Sequence, residues 1–481
     1  MLIRNAEINF SSLVDIRIID GMVVEIGSHL TAAAGATIIE ADGKALLPGL
    51  HDHHLHFMAY AAALDSLLCG APQINTATEL VQALRQKAQL IASKNAGAQK
   101  NAGTPKKTES WLRGFGYHEA VAGDIDRHWL DNIAPQLPVR IQHRSGRLWI
   151  LNSRALQLLG DLTAAPLERR DGNFTGRLYD ADIWLRERIG KQLPDVRYAS
   201  AQLASFGVTS FTDTSPSNDS ATLALFAQLQ RRGEILQDVL MMGDASLSAV
   251  SAQPHISAGA TKIHLHDNEL PDFDAMSAAI SLSHVQNRPV AIHCVSLVDL
   301  TFALAVLEAV GTMIGDRIEH AAITPPEIMQ RIAQLNLSVV TQPNFIAERG
   351  DSYLRDVDGA DRPWLYRLQG FVEAGVALAA GTDAPFGAAD PWAAMQAATL
   401  RTTRSGAVIG ALEALTPEAA LELFLGDPRL PGHGKNRIEI GSRSDFCLLD
   451  KSWRQARQNL AAVRVQKTIR CGQLIFPAPH A

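Results

Sequence analysis

Short apolar runs separated by Gly and Asp turns open the chain. IRNAEINF, VDIRIID, GMVVEIG and ATIIEADGKALL set polar against apolar positions over a few residues at a time, the pattern of small antiparallel strands. The same texture returns after about residue 434, in NRIEIGSRSDFCLLD and AVRVQKTIRCGQLIF. The shared texture predicts that the two ends, residues 1–48 and 427–481, pair into one small composite β domain, a β-sandwich built by both ends of the chain.

Between about 200 and 390 the pattern changes. β-rich apolar runs alternate with amphipathic helical stretches, as in a parallel sheet wrapped by helices. The runs that read as strands are GVTSFTDTS (207–215), LQDVLMMGD (236–244), TKIHLHD (261–267), RPVAIHCVS (288–296), DRIEHAA (316–322), LSVVTQPNF (337–345) and VALAAGTDAP (376–385). A further strand just before His54 makes eight, the number that closes a (β/α)8 TIM barrel, an α/β fold predicted here over residues 49–426. An open doubly wound sheet would more often carry a glycine-rich phosphate loop, and the sequence has none. The stretch from about 60 to 195 is too long for one connection and reads as an insertion after the first strand, with a helical TATELVQALRQKAQLIAS and the run PVRIQHRSGRLWILNSRAL. Within it KNAGAQKNAGTPKKTES (94–110), poor in large apolar residues, is expected to be a surface loop without chemistry.

Composition narrows what such a fold does. A length of 481 residues with 47% apolar and 20% charged positions is that of an ordinary globular protein with ample chain for a barrel. The net charge of -6 argues against the concentrated basic surface that a nucleic acid or an anionic membrane calls for. A small-molecule substrate fits better, and a homo-oligomer stays open. Four cysteines, Cys69, Cys294, Cys447 and Cys471, lie far apart and form no CxxC, which indicates neither a disulfide framework nor a thiolate zinc site. A cytoplasmic location is the simplest expectation, because the amino terminus has no apolar core of signal-peptide length and no apolar run is long enough to span a membrane.

Candidate chemistry is densest in PGLHDHHLHF, residues 48–57. On a strand, residues i and i+2 share a face, so His54 and His56 can converge on one cation. Such a pair arises often by chance, and surface or core histidines are its bland alternative. Placement of later residues changes the picture. His293 closes the apolar run RPVAIH, His320 closes RIEH and Asp383 follows VALAAGTD, each at the carboxyl end of a predicted strand, where barrels build their active sites. Imidazoles and a carboxylate suit a divalent metal, zinc being the first expectation, and an open site keeps a position for water. His51 and His53 flank the pair, and strict alternation turns both to the opposite face. Asp52 is a candidate to orient a ligand imidazole.

With PGLHDHH and HLH on the first strand, His at the ends of strands five and six, and GTDAP on strand eight, the chain resembles the amidohydrolase superfamily over nearly its whole length. WLRGFGYHE (111–119), HRSGRLWILNSRAL (143–156) and DGNFTGRL (171–178) resemble the branch containing N-substituted formamide deformylases. The chain departs from that pattern at Ser145, Gly146 and Arg147, where members often have Ser-Gly-His. The resemblance implies a metal-dependent hydrolase acting on a C–N bond of an amide or cyclic amide. It also implies that Asp383 acts as general base and acid, taking a proton from a metal-activated water and delivering it to the leaving group. The family often places a carboxylated lysine on strand four, here Lys262, to bridge two ions. TKIHLHD offers Lys262, His264 and His266 on one face and Asp267 on the other, so the choice among the three, and one ion against two, stays open; a lysine paired with a carboxylate, or a histidine facing substrate, is the plain alternative. Tyr117, His118, Arg144, Trp149 and Asn344 are the substrate-binding candidates, each with a packing role as its alternative. The same scaffold supports deamination, decarboxylation and C–O or C–C hydrolysis, and a barrel that has lost its metal and serves only to bind is the reading from another class.

Overall fold

A computed structural model describes the chain except residues 72, 100–109, 164, 191–192, 250–252, 267–268, 435 and 478–481. Eight parallel strands form one sheet: β1 (Leu50–Leu55), β2 (Val208–Asp213), β3 (Asp238–Gly243), β4 (Ile256–His264), β5 (Val290–Cys294), β6 (Arg317–His320), β7 (Ser338–Thr341) and β8 (Leu378–Ala380). Each pairs with the next in chain order. Beyond the last ladder, the Asp383 N–H donates to the His54 carbonyl at 2.7 Å and the His56 N–H to the Ala384 carbonyl at 2.9 Å, so the final segment meets the first and the sheet is a nearly closed (β/α)8 barrel. The approach is close enough that a Cβ on Gly381 would stand 2.4 Å from the His54 nitrogen, which leaves glycine as the residue that fits there.

Strands covered on both faces must be apolar almost throughout. In β5, Val290, Ala291, Ile292 and Cys294 are fully buried, and in β6 and β7 Ile318, Val339 and Val340 are as well. The covering helices begin at side-chain caps that satisfy their first N–H groups: Asp219 before Ser220–Arg231, Asp272 before Phe273–Val285, and a Ser296/Asp299 capping box before Leu297–Val310. β4 begins at Ile256, earlier than TKIHLHD suggests, because the small residues of ISAGA pair with β3.

The two chain ends supply two four-stranded sheets. One has the order Met22–Gly27, Ser12–Ile19, Leu2–Ile8, Ile38–Glu40; in the other, Leu46–Pro48 pairs antiparallel with Phe446–Leu449, followed by Val465–Arg470 and Gln473–Phe476. Ile3, Ile16 and Ile39 from one end and Phe446, Leu448 and Ile469 from the other share a core.

Residues Met58–Val196 form a compact unit of their own. Its six-stranded sheet includes Leu112–Tyr117, Val139–His143, Leu148–Leu151 and Asn173–Tyr179, with Leu112, Ile141 and Ile150 at the centre of one core. The helix Ala77–Gln99 runs into the stretch expected to be a loop. Ala, Gln and Lys carry enough helix propensity there to outlast Gly97; residues 100–109 of that stretch lie outside the described residues.

Candidate metal centre

The site begins with an irregularity in β1. Asp52 pairs with Phe211 and Leu55 with Asp213, so three steps of β1 span two of β2, and strict alternation breaks between them. Phe211 stacks outward on Phe57 at 4.8 Å, so its neighbours Ser210 and Thr212 face the barrel interior. The His51 ring bonds both, Nδ1 to the Ser210 hydroxyl at 2.7 Å and Nε2 to that of Thr212 at 2.9 Å. His51 therefore turns inward, correcting the expectation from alternation. The His53 ring meets His51 edge-on at 4.5 Å, with both its nitrogens buried and unbonded. Burial, then the Arg317 charge, pulls the His51 imidazole down to about 3 and keeps it neutral.

Past the bulge, His54 and His56 present Nε2 to one oxygen of Asp383, Oδ1, at 3.5 and 3.4 Å. These three residues make a mostly buried trio whose ligand atoms all lie within 4.8 Å of one another. Asp383 Oδ1 has no hydrogen-bond partner. The other ring nitrogens are taken: His54 Nδ1 by Glu319 Oε2 at 2.5 Å and His56 Nδ1 by the Ser215 hydroxyl at 3.1 Å. Burial alone would push the Glu319 carboxyl up, yet Arg317 above all, then Lys262 and His54, hold it well below its ordinary value. An ionised Glu319 accepts the proton of His54 Nδ1 and leaves a lone pair on Nε2. The His54 lone pair then faces a carboxylate oxygen with no proton between them. Two ligands about 2.1 Å from a tetrahedral ion stand about 3.4 Å apart. The donor set and its spacing fit a divalent metal.

The other expected ligands continue along the rim. His320 packs on His54 with ring centres 4.8 Å apart, His293 on His320 at 4.4 Å and His264 on His293 at 4.0 Å, an arc of imidazoles from β1 through β6 and β5 to β4. His293 and His320 stand outside the tight trio. The His320 Nδ1 meets Gln342 Oε1 at 2.6 Å, which points its Nε2 away from that amide. His320, Ala321 and Asp383 hold φ of 70°, 46° and 55°, left-handed values that non-glycine residues adopt at a cost and that gather at functional sites. Asp52 supports the rim from behind. Its Oδ1 accepts from the His54 and Thr382 N–H groups at 3.1 and 3.0 Å, and its Oδ2 from the Thr382 hydroxyl at 2.6 Å. Burial raises its carboxyl to about 7, against these hydrogen bonds.

On β4, Lys262 is buried, its Nζ 3.7 Å from Glu319 Oε1 and without a hydrogen-bond partner. His264 and His266 are exposed and stack on each other at 4.5 Å, while Asp267 lies outside the described residues. Glu319 is the residue that sequence reasoning missed. Arg317 Nε donates to its Oε1 at 2.7 Å, so one buried carboxylate faces Arg317, Lys262 and His54.

The substrate-binding candidates fall in two places. Tyr117 lies in the core of the Met58–Val196 unit and its hydroxyl donates to the Gly123 carbonyl at 2.5 Å. Trp149 is buried there, its indole N–H on Asp182 at 2.9 Å, and Arg140 lies 5.5 Å from its ring centre. His118 caps the helix Glu119–Ala122, Arg144 is exposed, and Arg147, the departure from Ser-Gly-His, forms a two-bonded pair with Asp180 at 2.7 Å. Asn344 begins the helix Asn344–Asp356 after β7, where its Nδ2 donates to the Thr382 carbonyl at 3.0 Å and its Oδ1 is buried without a partner.

Comparison with known proteins settles the family. The model of the amidohydrolase family matches residues 37–476. The chain belongs to the amidohydrolase family. It is 24% identical to the N-substituted formamide deformylase of Arthrobacter pascens, over 87% of this chain and 86% of that protein. An uncharacterised metal-dependent hydrolase from Pyrococcus horikoshii OT3 superposes with a TM-score of 0.72 at 20% identity, covering 92% of this chain and 96% of that one. Atrazine chlorohydrolase TrzN from Arthrobacter aurescens TC1, in a complex with zinc, superposes with a TM-score of 0.53 at 13% identity over 98% and 94% of the two chains. As a member of this family the chain is a hydrolase of a metal-dependent superfamily, and among its described residues no helix is long and apolar enough to cross a membrane.

Proposed function

We propose that this amidohydrolase cleaves the C–N bond of an amide or cyclic amide in a small molecule, with His54, His56 and Asp383 holding a divalent metal, zinc the first choice, and His293 and His320 completing the rim. The observation that carries this reading is the orphaned, buried Asp383 Oδ1, which faces the Nε2 atoms of His54 and His56, the proton of His54 being drawn to the far side of its ring by Glu319. A bound metal would supply Lewis acidity, polarising the carbonyl and making water a nucleophile near neutral pH. Asp383 takes a proton from the attacking water and returns it to the departing nitrogen, so that water and amide become carboxylic acid and amine. Glu319 keeps His54 in the tautomer with a free Nε2, and Gln342 does the same for His320. The main-chain hydrogen bonds that join His54 and His56 to Asp383 and Ala384 hold the donors in place before substrate arrives. Lys262 Nζ, buried and unbonded, is the position where carboxylation would add two oxygen donors for a second ion, and the ratio of metal to protein counts this directly. The proposal includes the cytoplasm, since all four cysteines are free thiols.

Asp383→Asn tests the assignment. At saturating metal the variant is expected to keep its ion and lose about 100- to 10,000-fold in turnover on a panel of amides scored for amine release. Turnover at the wild-type level would remove Asp383 from the proton transfer.

A further inference from the structure

Beside the trio, the helix after β7 carries a cation that the chemistry above leaves unused. Arg349 sits, partly buried, on the helix Asn344–Asp356. Its guanidinium carbon lies 3.8 Å from the centre of the Phe345 ring, and one of its NH2 groups donates to the Phe386 carbonyl. Phe386 belongs to the turn that carries Asp383: its N–H donates to the Asp383 carbonyl at 2.7 Å, and its ring meets His56 edge-on at 5.5 Å. Two contacts thus tie the guanidinium to the metal-binding trio. The nearby carboxylates of its own helix are engaged elsewhere. Glu348 accepts from the Ala388 N–H at 3.0 Å and from Asn344 Nδ2 at 3.2 Å, and Asp351 from the hydroxyls of Thr403 and Ser405 at 2.6 and 2.5 Å. Among the described residues no carboxylate forms an ion pair with Arg349. Burial works against its charge, and Tyr353, Tyr366, Asp383 and Glu348 more than offset that. The ring beneath the guanidinium fixes its plane, and a fork not spent on a protein carboxylate suits a planar anion with two oxygens.

We propose that Arg349 is a specificity-determining residue that binds a carboxylate of the substrate, so that the amides hydrolysed at this site are N-acyl amino acids or similar carboxylate-bearing amides. This rests on the amide reading above. It assigns Arg349 to recognition, leaving proton transfer to Asp383.

The test compares the metal-loaded wild type with Arg349→Met and Arg349→Lys on two substrates that differ only in the α-carboxylate, N-formylphenylalanine in either hand and N-formyl-2-phenylethylamine. Arg349→Met is expected to lose about 10- to 100-fold more in kcat/KM on the carboxylate-bearing amide than on the neutral amide, mostly through KM. Arg349→Lys recovers part of the loss. An equal fall on both substrates marks a merely structural arginine and overturns the proposal, as does no fall on N-formylphenylalanine. Should the wild type hydrolyse neither, the amide reading fails and the subsite is judged by calorimetric titration with N-formylphenylalanine. Binding that weakens in Arg349→Met upholds it; binding that is absent or equal in the two proteins overturns it.

Discussion

Among the described residues, two clusters of two histidines and one carboxylate stand at metal-ligand spacing: His54, His56 and Asp383 at the barrel rim, and His118, Glu119 and His143 in the Met58–Val196 unit. Their protons are arranged in opposite ways. At the rim, His54 Nδ1 gives its hydrogen to Glu319, and Nε2 faces Asp383 with its lone pair. In the other unit each Nδ1 is an acceptor, of the Ala120 N–H for His118 and of the Ser145 N–H for His143, both at 3.1 Å. A neutral imidazole that accepts at Nδ1 carries its proton on Nε2. Both of these Nε2 atoms face Glu119 Oε2, at 3.8 and 3.2 Å, so protons stand where a cation would have to go. Burial separates the pair further, since Asp383 is buried and the Glu119 side chain is 44% exposed. Distance between ligands therefore says little by itself. The partner of the other ring nitrogen decides whether a histidine offers a lone pair.

Replacing histidines in each cluster breaks the comparison most sharply. His54→Asn with His56→Asn should leave purified protein without stoichiometric metal by plasma mass spectrometry, and without measurable turnover. His118→Asn with His143→Asn should keep both. The reverse result would exchange the two assignments. Next in size is Glu319→Gln, which keeps the shape and removes the charge that draws the His54 proton away from Nε2. Metal affinity, read by competition with a chelator, should fall about 10- to 100-fold. The metal-free variant should also unfold more easily, by about 3 kcal/mol in denaturant titration, because Lys262 and Arg317 lose the carboxylate that balances them in the interior. Unchanged affinity would show that the Nδ1 partner does not govern the site.

The barrel could be read from the chain because each strand is a compact apolar run with its chemistry at the carboxyl end: His293 after VAI, His320 after RIE, Asp383 after VALAAGT. What escaped depends on tertiary facts. Glu319 sits inside such a run, beside the more conspicuous His320; the clue was Arg317 two positions earlier, on the same face, which pairs with it inside the barrel. The β1 bulge has no Gly or Pro to mark it, so alternation sent His51 the wrong way. Tyr117 and Trp149 spend their polar atoms inside the insertion, on Gly123 six residues away and on Asp182 33 residues away, pairings that the residue types alone do not name. Asn344 and Arg349 lie on the helix that follows β7, where residue type alone carries little signal.

The smallest effect sharpens the comparison from the side of the second cluster. Burial would raise the Glu119 carboxyl, but a main-chain hydrogen bond and then His143 outweigh it and hold it below the ordinary 4.5. A carboxylate depressed in the folded state contributes stability above its unfolded pKa, and that contribution is lost as pH falls through the folded value. Glu119→Gln should therefore destabilise the protein slightly at pH 7, by a few tenths of a kcal/mol or roughly that once solvent screening at a half-exposed group is allowed for. The gap between variant and wild type should narrow below about pH 4.5 and again in high salt, since both remove the same charge interaction. Reading the difference between the two proteins at each pH cancels any acid-driven loss of metal common to both. A gap that instead widens on adding zinc at pH 7 would mean that Glu119 holds an ion after all, and the contrast between the two clusters would have to be drawn on burial alone.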